Sequence, residues 1–193
     1  MNPTKREASH TFTVREHGTF LATRATGAAA RTALAHQVES TAPVSVLTID
    51  FTGTEAMTNS FTDEFLGKFY LSLAAGDVSV GGVELAGLNE ETRDAVTVCL
   101  ERRKQIAVDA DTGELLGDAA FLIATYQYAQ KLGSFRTATL AEALEISLPN
   151  ANNRLKRLVE AGALRRDRAA GPERGGKEFA YRLPEAHQAD TRA

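Results

Sequence analysis

The 193-residue chain has one cysteine, no tryptophan and only five prolines. A single thiol cannot build a disulfide framework, so the small disulfide-stapled folds of oxidising compartments are excluded. No stretch approaches the roughly 20 apolar residues of a helical membrane span. Nor do the first ten residues lead into the apolar core of a signal peptide. A cytoplasmic protein with no membrane partner is therefore expected. The four histidines, His10, His17, His36 and His187, lack the short spacings that bring two imidazoles to one metal. Gly81-Gly82 and the glycines of 171–176 lack the Lys-Ser/Thr of a phosphate loop. Cys99, between Val98 and Leu100 in a helical pattern, reads as a buried thiol rather than a nucleophile. Asp63 and Glu64 are adjacent, and neighbours on a helix point about 100° apart, a poor arrangement for shared acid/base work. No catalytic constellation assembles. No enzyme activity, no metal and no cofactor are expected.

What is present is a division of charge. Residues 118–183 carry 11 Lys/Arg against 7 Asp/Glu, while residues 1–117 carry 10 against 16. A mildly acidic chain thus contains a basic module, and affinity for phosphate follows local rather than total charge.

In chain order, 11–14 and 20–23 suit two short strands joined as a hairpin by Glu16, His17 and Gly18. A helix follows through 26–38, where alanine is frequent. Residues 44–51 are rich in β-branched residues and nearly continuous in apolar character, as in a central strand covered on both faces. Ser60 and Asp63 have the spacing of a helix cap, and an apolar helix runs on to Leu73. Residues 83–88 form a further strand. Asn89 then caps a helix that ends at 102–104, with acids at its start and cations at its end, as the helix dipole favours. The polar run 105–117 reads as a linker, and 118–132 as a helix with Phe121, Leu122, Thr125, Tyr126, Ala129 and Leu132 on one face.

The next run has the richest local signals. Thr139 and Glu142 have capping-box spacing. Ser147 is placed to cap a second helix, in whose first turn Pro149 is tolerated. Ala151, Leu155, Leu158 and Val159 repeat as an apolar stripe. Asn150, Asn152, Asn153, Arg154, Lys156 and Arg157 occupy the other faces. Amides pair with adenine edges, and cations with guanine edges or phosphates. The sequence assigns Asn150, Asn153 and Arg157 to bases, and Arg154 and Lys156 to groove or phosphate. Gly162 suits a left-handed helix end. Residues 164–168 and 178–183 then read as strands joined by a basic loop, a wing whose Arg168, Arg174 and Lys177 can reach the nucleic-acid backbone or minor groove.

Leu140-Ala-Glu-Ala-Leu-Glu-Ile-Ser147, followed by Leu155, Leu158 and Gly162-Ala-Leu-Arg-Arg166, resembles the winged-helix repressors of the MarR and ArsR type over about a third of the chain. The resemblance implies a double-stranded DNA reader, and the absence of nearby cysteines departs from the metal-sensing members. Asp50-Phe-Thr-Gly53 followed by Ser60-Phe-Thr-Asp-Glu64 resembles the DFxG…SFxDE signature of STAS-like domains, over roughly 11–104. That resemblance implies a non-enzymatic domain that binds a protein partner, such as a kinase-like ATPase, or a small molecule. It also implies a phosphoacceptor or partner site around Thr58, Ser60, Asp63 and Glu64, with Asn59 at the position usually phosphorylated.

The expected architecture is an α/β STAS-like mixed sheet with helices (11–104), a linker (105–117) and an α+β winged helix-turn-helix (118–183), between a disordered terminus (1–10) and a flexible tail (184–193). The expected function is a dimeric bacterial transcriptional regulator. The alternatives are a partner-switching adaptor that uses its winged helix as a protein dock, and a small-molecule sensor.

Overall fold

The structure, a computed structural model, describes residues 8–41, 44–168 and 179–184 and is mixed α/β with small sheets. The first part runs Ala8–Thr13 (β1), a 3-10 turn at Val14–His17, Phe20–Leu21 (β2), Arg24–Thr41 (α1), Val44–Asp50 (β3), Ala56–Met57 (β4) and Asn59–Thr62 (α2). A π turn at Asp63–Gly67 leads into Lys68–Ala75 (α3), then Val83–Ala86 (β5) and Glu90–Arg102 (α4). The second part runs Ile106–Val108 (β6), Leu115–Gly117 (β7), Ile123–Lys131 (α5), Ser134–Arg136 (β8), Thr137–Ala143 (α6), Leu148–Glu160 (α7), Arg165–Arg168 (β9) and Phe179–Arg182 (β10).

β3 is central. Val44, Val46, Leu47 and Ile49 are all buried, because β1 and β5 flank it in parallel and helices cover the sheet. The hairpin expected between 11–14 and 20–23 is not formed. β1 pairs with β3, whereas β2 pairs in parallel with β4. Between them the 3-10 turn tucks Val14 wholly into the core, so the chain passes from one sheet to the other instead of folding back.

The helix at 59–75 also starts differently from expectation. Its cap is Thr58, not Ser60: the Thr58 Oγ1 accepts from the Phe61 amide at 3.3 Å and donates to the Ala22 carbonyl at 2.6 Å. α1 lies close against this helix start because Gly27 has no side chain; a Cβ there would meet the Phe61 carbonyl at 2.8 Å. Asn89 caps α4 as expected, in a reciprocal arrangement with Thr92.

Residues 105–117, expected to be a linker, fold as an antiparallel hairpin, β6 against β7, with Ala107 opposite Leu116. The polar run 109–113 is its turn: the Asp109 carboxylate accepts the Asp111 amide at 2.9 Å and is paired with Arg93. The hairpin divides its side chains. Ala107 and Leu116 belong to the first core, and Ile106 and Val108 to the second.

In the second core Leu122, Tyr126, Leu140, Leu155 and Leu158 are buried with Phe135 and Tyr181. Here β8 and β9 flank β10, both antiparallel to it. β8, absent from the expected element order, carries Phe135 inward between two exposed residues. The helix expected over 118–132 is confined to α5, with a turn before it. The Thr139 capping box is not formed either, because α6 already begins at Thr137 and Thr139 lies inside it. Gly162 ends α7 with φ +71, and its carbonyl accepts from the Val83 amide at 3.1 Å. That bond ties the end of α7 to the edge of β5.

Candidate nucleic-acid interface

Ser147 accepts the Asn150 amide at 3.4 Å and starts α7. The Pro149 ring sits in the first turn, where its missing N–H costs no intrahelical bond. Ala151, Leu155 and Leu158 are completely buried, so the rest of the helix surface points away from the core. Asn150, Asn152, Asn153 and Lys156 are exposed. Lys156 also lies 3.6 Å from Glu160, an exposed pair that holds the ammonium weakly. Arg154 is half-buried and donates to the Asn150 side-chain oxygen at 3.0 Å and to Thr125 Oγ1 at 3.4 Å. That contact leaves Asn150 its amide nitrogen as the outward donor.

Arg157 requires correction. Its guanidinium donates to the Lys104 carbonyl at 3.0 Å and to the Asp118 carboxylate at 3.2 Å, and lies over the Phe121 ring. It braces α7 against the preceding segment and is not free for a base edge. Of the residues assigned to the wing, Arg168 is exposed at the end of β9, whereas Arg174 and Lys177 lie outside the described residues. Leu148 is the residue missed by sequence reading: it is 52% exposed at the outer end of α7, and an apolar side chain there suits a thymine methyl. By spacing it continues the 151/155/158 stripe, and only its place at the first turn of α7 leaves it beyond the core.

The other candidate cluster behaves differently. Asp63 accepts from Arg103 Nε at 2.7 Å and approaches Arg24 at 3.4 Å. The Arg103 hydrogen bond, above all, holds its carboxyl below the usual range. Glu64 is buried and is held by Lys68 at 2.7 Å and Arg31 at 3.4 Å. Its carboxyl is likewise lowered, first by Lys68. Both acids thus neutralise cations of α1, α3 and the end of α4. The Thr58 hydroxyl is committed to its cap. Ser60 remains accessible in a cavity of about 310 Å³ that it lines with Arg24, Asn59, Asp63 and Arg102. Cys99, on the same wall, is buried, and burial pushes its thiol up to about 11.

Among the described residues, no group of three or more His, Cys, Asp or Glu is placed to hold a metal. None of their helices is long and apolar enough to cross a membrane. No protein-family model, curated protein or solved structure matches the chain.

Proposed function

We propose that the chain is a bacterial cytoplasmic transcriptional regulator. In this reading 118–183 is a winged helix-turn-helix of the MarR/ArsR kind, and the part before it is a STAS-like, partner-binding unit. The observation that carries the proposal is the face of α7 opposite Ala151, Leu155 and Leu158, an exposed ridge of three asparagines and a lysine beginning at a capped helix start. A surface of amides and cations, with Glu160 the acid that borders it, fits base edges and phosphates. The order α6, α7, β9, β10, with β8 beside β10, supports the same reading.

Asn150, Asn152 and Asn153 read bases and Leu148 meets a methyl group. Arg154, Lys156 and Arg168 hold the backbone, and Arg174 and Lys177 extend that contact along the adjacent groove. The chain acts as a homodimer, since a two-fold operator needs two readers about one helical turn apart. Within the N-terminal unit Ser60 is the phosphoacceptor, because it lines a cavity with two arginines and serves no cap. A kinase-like ATPase is the partner.

The decisive experiment selects genomic fragments on the full chain and measures affinity against salt for Asn153→Ala and Lys156→Gln. Asn153→Ala relaxes sequence preference, and Lys156→Gln lowers the salt slope by about 1. Unchanged binding in both, or no DNA enrichment at all while a kinase-like ATPase is retained from nuclease-treated lysate, sinks the proposal in favour of an adaptor.

A further inference from the structure

The carboxyl ends of β3 and β5 open onto a cavity of about 640 Å³ that shares no lining residue with Ser60's cavity, and Arg15, Thr52, Gly53, Thr54, Glu55 and Asn89 are among the residues that line it. In open parallel sheets the crevice beyond the carboxyl ends of the strands is where ligands collect, since loops and helix starts converge there. Three observations give this cavity a chemical character.

Arg15 is exposed and has no carboxylate partner among the described residues. Its stem lies directly over Gly53, where φ is +78 and a Cβ would come within 2.8 Å of the Arg15 Cδ. Glycine at 53 is therefore what lets an unpaired cation lie along the cavity floor. Thr54 is only 2% exposed, yet its hydroxyl has no hydrogen-bond partner. A buried polar group left unmatched is costly to the fold, and an oxygen ligand reaching this wall would relieve that cost. Asn89 fixes the intervening loop: its side-chain nitrogen donates to the Thr54 carbonyl at 2.9 Å and the Glu55 carbonyl at 3.1 Å. The positive end of α4 consequently stands at the same wall.

We infer that this cavity binds a small organic oxyanion, a carboxylate or a phosphate ester, held by the Arg15 guanidinium and threonine hydroxyls. An arginine fork matches either group in two parallel hydrogen bonds. The volume is that of a metabolite site rather than a macromolecular one. The rim is also wired to the hairpin, since the Gly87 amide donates to the Asp111 carboxylate at 2.7 Å. The inference does not depend on the DNA-binding proposal.

The test is a titration of the isotope-labelled full chain with inorganic phosphate and, in a second arm, acetate, followed by amide resonances. Saturable shifts at Gly53, Thr54 and Gly87 are expected, and the stronger arm identifies the preferred oxyanion. Arg15→Gln weakens binding roughly tenfold or more, whereas Arg24→Gln, beside Ser60, leaves it unchanged. Thr54→Val keeps the shape of the side chain and separates the two roles of the hydroxyl: raised thermal stability with weakened phosphate binding supports the site. Raised stability with unaltered binding, equal binding by Arg15→Gln and the unsubstituted chain, or shifts confined to 150–156 on α7 each overturn it.

Discussion

Two helix starts in this chain have the same local chemistry and opposite fates. At Thr58 and at Ser147 a hydroxyl caps the first turn by accepting the amide three residues on, and charged or polar residues follow. The first start is wedged between α1 and α4, so each charge meets a counter-charge: Asp63 with Arg103, Glu64 with Lys68 and Arg31. At the second the outer side of α7 is left uncovered, so Asn152 and Asn153 keep their hydrogen-bonding capacity for an outside partner and Lys156 meets only Glu160, at 3.6 Å. The number of packed faces, rather than residue type, separates a structural cluster from a recognition surface.

The largest effects should come from removing the apolar backing of each start. Phe61→Ala should cost about 3–5 kcal/mol and Leu155→Ala about 2–5 kcal/mol, read as a drop in denaturant midpoint. A much smaller loss for Leu155→Ala would mean that α7 is not seated on its core.

Next come the caps. Both Thr58→Ala and Ser147→Ala should fall within about 0.5–2 kcal/mol, with Thr58→Ala the larger because that hydroxyl also donates to the Ala22 carbonyl. Equal losses in thermal unfolding would remove this asymmetry.

The acids provide the third contrast. Their folded carboxyls lie below ordinary values, so the stability they add is present above the usual carboxylate range of about 4 and is lost as pH falls through the lowered values. Asp63→Asn should cost about 1 kcal/mol near neutrality, after allowance for screening, and Asp63→Asn with Glu64→Gln should flatten the acid limb of the stability curve. An acid limb as steep as that of the unsubstituted chain would show that other carboxylates govern it. The smallest change should be at Lys156→Gln, within about 0.5 kcal/mol in stability. A larger loss would place Lys156 among structural residues instead.

Much of the fold was legible where the signal is local. Asn89, Ser147 and Gly162 announce themselves as helix punctuation because the groups they satisfy lie within a few residues. The β-branched run at 44–50 carries its own burial pattern. The errors share a different cause. Thr58 and Ser60 are equally plausible caps by spacing, and the choice is made by the Ala22 carbonyl, 36 residues away. Arg157 sits among the ridge residues in sequence, yet it is captured by the Lys104 carbonyl 53 residues earlier. The direction in which β1 pairs is likewise decided by β3, beyond any hairpin signal. The polar turn at 109–113 concealed two three-residue strands because turn chemistry and linker composition look alike.

The hairpin at 106–117 constrains any attempt to make chimeras from this chain. Severing it on its N-terminal side would strip the first half of Ala107 and Leu116, and severing it on its C-terminal side would leave a hole in the other half where Ile106 and Val108 had been. Transplanting either half onto a foreign companion therefore means moving the hairpin as well and furnishing the abandoned half with a substitute plug. Recombination at this joint succeeds only when both faces of the seam are exchanged together.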